Sequence, residues 1–294
     1  MQRNDPTVRI ARLTEAGAPG FAELERAFEA SNPGYRLAWH PACRELRPSG
    51  SVRVAFVHGA DQRAEPMADA QIGEQRSEVT VGDALVLRPG ETLTTSHAVD
   101  LLVFDTPQDL HPLVPSFVRP DWDPDLTDQP GGCAEDADAY RRILLTWLST
   151  VGPYVYEGLN AHRVRITDSF SHYHPVTGGF DEFYLVQGLE DGAALLTSTA
   201  TDRLIDPDSI EAAEVAGLIQ RQELAVGDLV YLPRGVVHRG LGGVLTQVIT
   251  APGFIPGAEV GVDHHLRAVN ERLGLDGRRA LPFNSKASAA AVVK

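Results

Sequence analysis

Cysteine is scarce in this 294-residue chain, which has only Cys43 and Cys133, ninety positions apart and in no CxxC pattern. Neither a disulfide framework nor a thiolate metal site can be built from such a pair. Positive charge is short too: 26 Lys and Arg face 40 Asp and Glu, giving a formal net charge of -14. A surface of that sign repels polyanions, so nucleic acid and anionic membranes are excluded as partners. Long apolar runs are missing, and none approaches the length that spans a bilayer. The opening residues, MQRNDPTVRIARL, also lack the apolar stretch of a signal peptide. The expected location is the cytoplasm.

Helical periodicity is the last thing in short supply. Ala18–Ala30, Asp136–Thr150 and His264–Leu273 carry it, the first with Phe21, Leu24 and Phe28 on one face. Most of the remainder reads as short strands between turn residues. Examples are Ser51–His58, Ala84–Leu87, Asp100–Phe104, His162–Ile166, Glu182–Val186, Ala193–Thr197, Asp228–Leu232 and Val244–Thr250. Strands at this spacing predict an all-β sandwich or barrel. The Pro- and Asp-rich segment Pro115–Gly132 reads as a connector, and the tail Lys286–Lys294 as poorly ordered.

A repeat organises these strands. Val81–Gly90 (VGDALVLRPG) resembles Val226–Gly235 (VGDLVYLPRG) at an offset of 145 residues. The same offset relates the strands ending at Pro107 and Pro252, so the chain reads as two copies of one β-domain.

Chemistry concentrates in the second copy. His172 and His174 stand two apart, a spacing that turns both imidazoles to one face of a strand. A carboxylate follows the Gly178-Gly179 turn at Asp181 or Glu182, and His238 follows Gly227, Pro233 and Gly235. These residues resemble the two motifs of the cupin superfamily, HxH with an acid and then a glycine, and G-x5-P-x-G-x2-H. The resemblance, over about Leu37–Pro252, implies two double-stranded β-helix (jelly-roll) domains with a few flanking helices, a bicupin. The division expected is a degenerate cupin at 1–118, a linker and helix at 119–155, a metal-binding cupin at 156–258, and a helix and tail at 259–294. It further implies one divalent first-row transition metal per chain (Fe2+, Mn2+, Ni2+ or Zn2+), held by His172, His174, His238 and a carboxylate. The loop between His174 and the carboxylate is longer than the family pattern. Spacing back from Gly188 favours Asp181, whereas reach and the Glu182–Tyr184 pair favour Glu182, which is the choice made here.

In the first copy Leu93 stands where the second has His238, and Arg44–Phe56 contains no histidine. That copy is expected to serve structure or dimerisation in a homodimer. His58, His97, His111 and His162 are isolated and read as surface or core residues. His264 and His265, adjacent on a helix, are poor joint ligands. Arg163 and Arg165 alternate on the strand entering HxH and are candidates to clamp a carboxylate or phosphate; the alternative is a solvated outer face. Tyr184 and Tyr231 are candidates for contact with a small-molecule substrate or for core packing. The short motifs around HxH and Pro233–Arg239 resemble the cupin-type phosphoglucose isomerases, except for an insertion at about Ala200–Glu223. Two functions follow: a metal-dependent dioxygenase or isomerase, or a non-catalytic sensor or storage cupin.

Overall fold

A computed structural model describes residues 6–59, 67–131 and 139–294. Cys133 and the start of the expected helix at Asp136 lie outside the described residues. In chain order the first half supplies β1 (Arg9–Arg12), α1 (Phe21–Ser31), β2 (Arg36–Leu46), β3 (Val52–His58), β4 (Ala68–Ile72), β5 (Gln75–Val79), β6 (Ala84–Leu87), β7 (Leu93–Thr106) and β8 (Phe117–Val118). Next come β9 (Arg141–Leu145), β10 (Asn160–Asp168), β11 (His172–Tyr173), β12 (Asp181–Gly188), β13 (Ala194–Ser198), α2 (Thr201–Leu204) and α3 (Val215–Leu218). The last elements are β14 (Gln220–Gln222), β15 (Asp228–Leu232), β16 (Val237–Ala251), β17 (Val260–Gly261) and α4 (Asp263–Leu273). The fold is all-β and of jelly-roll type, with few helices.

Two antiparallel sheets repeat one strand order. The first runs β8-β6-β3-β7, with β2 and β4 also on β7; the second runs β1-β15-β12-β16, with β10 and β13 also on β16. The repeated turns match in detail. Gly82 and Gly227 adopt φ of 97° and 94°, a left-handed conformation that glycine takes without strain. The aspartates that follow, Asp83 and Asp228, each accept a 2.8 Å bond from the backbone N–H three residues back, of Thr80 and Ala225. Each is also paired with an arginine, Arg119 at 3.0 Å and Arg12 at 2.9 Å. The edge strand of the second sheet is β1, from the beginning of the chain, so the first residues complete the second sheet.

The two sheets are joined by a shared aromatic core. Phe28 of α1 packs edge-on against Phe104 of the first sheet (5.7 Å) and Phe183 of the second (5.0 Å). Phe104 and Phe183 also touch, with centroids 5.2 Å apart. Burying each such ring is worth about 1.5–3 kcal/mol, so the sheets are strongly held together.

Two expectations are corrected. Asp136–Thr150 is not helical where described: Arg141–Leu145 is a strand paired with β10. Ile143, Leu144 and Leu145 are all buried there, whereas Leu148, needed on the helical stripe, is exposed. A short apolar run is ambiguous by periodicity, and the open edge of β10 decides it. The tail is ordered as well. Gly261 donates to Val292 O at 2.8 Å, Lys294 donates to Glu259 O at 3.0 Å, and Val293 bridges Val260. The insertion folds as α2, α3 and β14, with Leu204, Val215 and Leu218 buried against α4.

Candidate metal centre

Strand alternation decides which carboxylate enters the second barrel. On β12, Asp181, Phe183 and Leu185 face one way, with Phe183 and Leu185 in the core shared between the sheets. Glu182 and Tyr184 face the other way, and Tyr184 lies in the barrel cluster with Val164, Val230 and Val248. Asp181 is consumed on its own side. It accepts bonds from Asn32 Nδ2 (2.6 Å), the Tyr231 hydroxyl (2.8 Å), and the Arg234 backbone N–H (2.9 Å) and Nε (3.0 Å). Asp181 and Tyr231, both considered for the site, therefore belong to an ion-paired network behind it.

His172 and His238 face each other directly across the β11–β16 ladder, with ring centroids 4.2 Å apart. His174 follows β11, its ring 5.1 Å from that of His238. Two glycine-dependent turns hold this arrangement. A Cβ on Gly179 would lie 2.2 Å from Pro175 O, so only glycine lets the chain return to Phe180, whose ring packs 4.0 Å from His174. Gly235, at φ 88°, donates its N–H to His174 O at 2.7 Å, which ties the Pro233-Arg234-Gly235 turn to the HxH segment.

His172, His174, Glu182 and His238 are all buried, and one ligand atom from each lies within 4.8 Å of the other three. His238 Nε2 is 3.3 Å and His174 Nε2 3.8 Å from the Glu182 carboxylate. All three Nε2 atoms and Glu182 Oε1 are buried without a hydrogen-bond partner. Buried polar atoms left unpaired cost about 1–3 kcal/mol each, so four converging on one point form a set that an ion would satisfy. The rear nitrogens are engaged: Nδ1 of His172 donates to Phe170 O and Nδ1 of His238 to Val236 O, each at 3.1 Å. His174 has the equivalent bond to the backbone of Phe180. These bonds fix the tautomer and turn each Nε2 lone pair inward.

The electrostatics agree with a cation. Burial, then the charge of His238, pushes His172 and His174 well below the usual imidazole range, so both are neutral, as ligands must be. His238 moves up instead: burial opposes its charge, but the adjacent Glu182 carboxylate outweighs that. Three imidazoles and one carboxylate suit a first-row divalent ion and leave positions open to an exogenous ligand.

Arg163 and Arg165 share a face, as their spacing predicts, but it is the face turned away from the barrel. Arg163 is fully buried, with Nε on Gln187 at 2.8 Å and Nη1 on Asp121 at 2.5 Å; Arg165 pairs with Glu190 at 2.8 Å. Both arginines are thus engaged away from the barrel, into which Val164 and Ile166 point instead. The rings of His264 and His265 lie tilted 3.8 Å apart on α4 and supply no ligand to the cluster, nor do His58, His97, His111 or His162.

One residue was missed. Glu259, just before β17, brings its carboxylate to 3.9 Å from His172 Nε2. Burial, followed by the Glu182 charge, pushes it up to about 7. No motif marks it, because it reaches the cluster only through the pairing of β17 with β11.

No protein-family model and no curated protein matches the chain. Solved structures resemble its trace at low identity. Bacillus subtilis oxalate decarboxylase, described with Mn(II) centres, is 16% identical over 90% of this chain and 78% of its own, with a TM-score of 0.47. Lactobacillus farciminis oxalate decarboxylase in a formate complex is 14% identical over 83% and 82%, TM-score 0.47. An IolB-like protein from Salmonella typhimurium is 13% identical over 74% and 82%, again at 0.47. Likenesses of this degree leave the chemistry to be read from the chain's own residues.

Proposed function

We propose that the chain is a bicupin metalloenzyme with one working copy, binding a single divalent first-row ion at His172, His174, Glu182 and His238. The observation that carries this reading is the set of four buried ligand atoms that converge without partners of their own. An ion there supplies Lewis acidity and open coordination positions for a small polar substrate. The protein's part is to hold the imidazoles, His172 and His238 by their rear nitrogens, and to wall the site with apolar side chains. Tyr184 faces the barrel, its ring 6.4 Å from that of His238. With Arg163 and Arg165 engaged elsewhere, a carboxylate or phosphate on the substrate loses its support.

Two reactions fit this site, dioxygenation on Fe(II) and a metal-assisted isomerisation. The test is metal analysis of purified protein, followed by O2 uptake and isomer analysis with a panel of small acids and sugars. Substrate-dependent turnover that is lost on chelation and restored by metal supports the reading. Full metal occupancy with no turnover of any panel member favours a metal- or ligand-binding cupin without catalysis.

A further inference from the structure

The wall of the second barrel carries two more polar groups outside the four-ligand set. Thr250 is 5% exposed, and its hydroxyl has no hydrogen-bond partner among the described residues; nor has the buried Nε2 of His162. Both side chains take the barrel side of their strands. Ala161 and Ile249, which pair, lie in the core shared between the sheets, whereas Val164 and Val248 lie in the barrel cluster. His162 pairs with Val248, and Thr250 is two residues beyond it, so alternation turns both inward. The wall therefore has Glu182, Thr250 and Asn160 in one row, and Tyr184, Val248 and His162 in the next that faces the barrel. Paired residues stand about 5 Å apart at Cβ and diagonal ones about 7 Å, so Thr250 borders Glu182 and one small molecule can span Thr250 and His162.

Comparable groups nearby are satisfied within the chain. Thr246, four residues back on β16, donates to Leu185 O at 3.0 Å. Asp105 pairs with Arg53 in the first sheet as Thr250 pairs with Glu182 in the second, and it accepts from Ser49 and Ser51 at 3.0 Å each. Asn160, at the end of the row, donates to Tyr156 O and accepts from Phe254 N–H.

We propose that Thr250 and His162 form a ligand-orienting subsite of the second barrel, taking a hydroxyl or carbonyl oxygen of a small molecule whose other oxygen binds the ion. This rests on the metal reading above. An ion alone fixes distance but little direction, and a second anchor on the wall fixes the molecule's orientation. A threonine hydroxyl both donates and accepts, and an imidazole nitrogen does one or the other, so the pair suits an uncharged oxygen. Burial, then the charge of Arg141, holds the His162 ring well below the usual imidazole range. Arg141 itself gives Nη1 to the carbonyls of Gln129 and Pro130.

The experiment titrates the full chain, loaded with Co2+ so that the visible spectrum reports ligand exchange, with two probes that differ by one hydroxyl, dihydroxyacetone and hydroxyacetone. Wild type is expected to bind dihydroxyacetone at least about fivefold tighter than hydroxyacetone. Thr250→Val and His162→Leu should each abolish that preference with hydroxyacetone affinity within about twofold of wild type, and Thr250→Ser should keep it. In the metal-free full chain, Thr250→Val should also raise the urea midpoint, because it removes a buried hydroxyl that has no partner. Binding of neither probe, equal binding of both by wild type, or a preference that survives either substitution overturns the subsite and leaves the metal centre intact. A lower urea midpoint for Thr250→Val also overturns it, because the hydroxyl would then be structural. Failure of wild type to bind Co2+ overturns the metal reading and this inference together.

Discussion

The two sheets follow one plan and fill their barrels differently. In the second, His238 pairs with His172 on one side and Thr197 on the other. In the first, Leu93 holds that place, paired with Leu46 and Ile72. Glu182 lies between Leu232 and Thr250; its counterpart Arg53 lies between Leu87 and Asp105. The first barrel thus has Leu46, Leu93 and Arg53 where the second has His172, His238 and Glu182, and around them it is packed with Val57, Leu85 and Leu101. That filling satisfies itself, the Arg53 guanidinium donating to Arg47 O. The polar one leaves four buried atoms without partners, the set that the proposed ion would satisfy.

The largest expected effect removes the distinction. A His172→Ala/His238→Ala variant deletes two of four ligands and is expected to lower metal affinity on the order of ten-thousand-fold, since a full set is worth about 10–16 kcal/mol. Isothermal titration with Zn2+ or Mn2+ measures it, and affinity within tenfold of wild type would refute the assignment.

Next come the neighbouring carboxylates, which strand alternation gives opposite jobs. Asp181→Ala strands the buried side of Arg234 and Asn32 and should cost about 3–5 kcal/mol in urea unfolding with metal affinity nearly unchanged. Glu182→Ala should weaken metal binding about a hundredfold with a much smaller change in stability. Exchange of these two phenotypes would mean that the faces of β12 are reversed.

The comparison can also be attacked from the first barrel. Leu93→His introduces an imidazole between Leu46 and Ile72, with no acceptor provided, and is expected to destabilise by about 2–4 kcal/mol. A loss under about 1 kcal/mol, read from denaturant midpoints at constant slope, would show that this barrel tolerates polar filling as the second does.

The smallest effect concerns the contact between the halves. Arg163 lies where a Cβ on Gly82 would come 2.6 Å from its Nε, and Gln247 reaches Gly82 O at 2.7 Å. Arg163→Ala should cost about 2 kcal/mol in stability and leave the affinity for small carboxylates and phosphates unchanged. A fall in anion affinity would restore the clamp.

What could be read in the sequence was what depends on local spacing. The Gly82 and Gly227 turns, the strands after them, α1 and α4 all announce themselves by fixed residue types at fixed intervals. His172, His174 and His238 were legible because turn glycines and the HxH spacing travel with them. Spacing says that Arg163 and Arg165 share a face; it does not say which face, and that depends on which sheet packs behind β10. The strand at Arg141–Leu145, the pairing of β1 with β15, and the approach of Glu259 all arise between residues far apart in the chain. None of them leaves a periodic trace.

The most direct test of the central claim is a crystal structure of the Mn2+- or Co2+-loaded protein with anomalous data. The account predicts one anomalous peak per chain, within coordination distance of His172, His174, Glu182 and His238, and none in the barrel of Leu46 and Leu93. A peak in the first barrel, or none at the four-residue cluster under saturating metal, would contradict it.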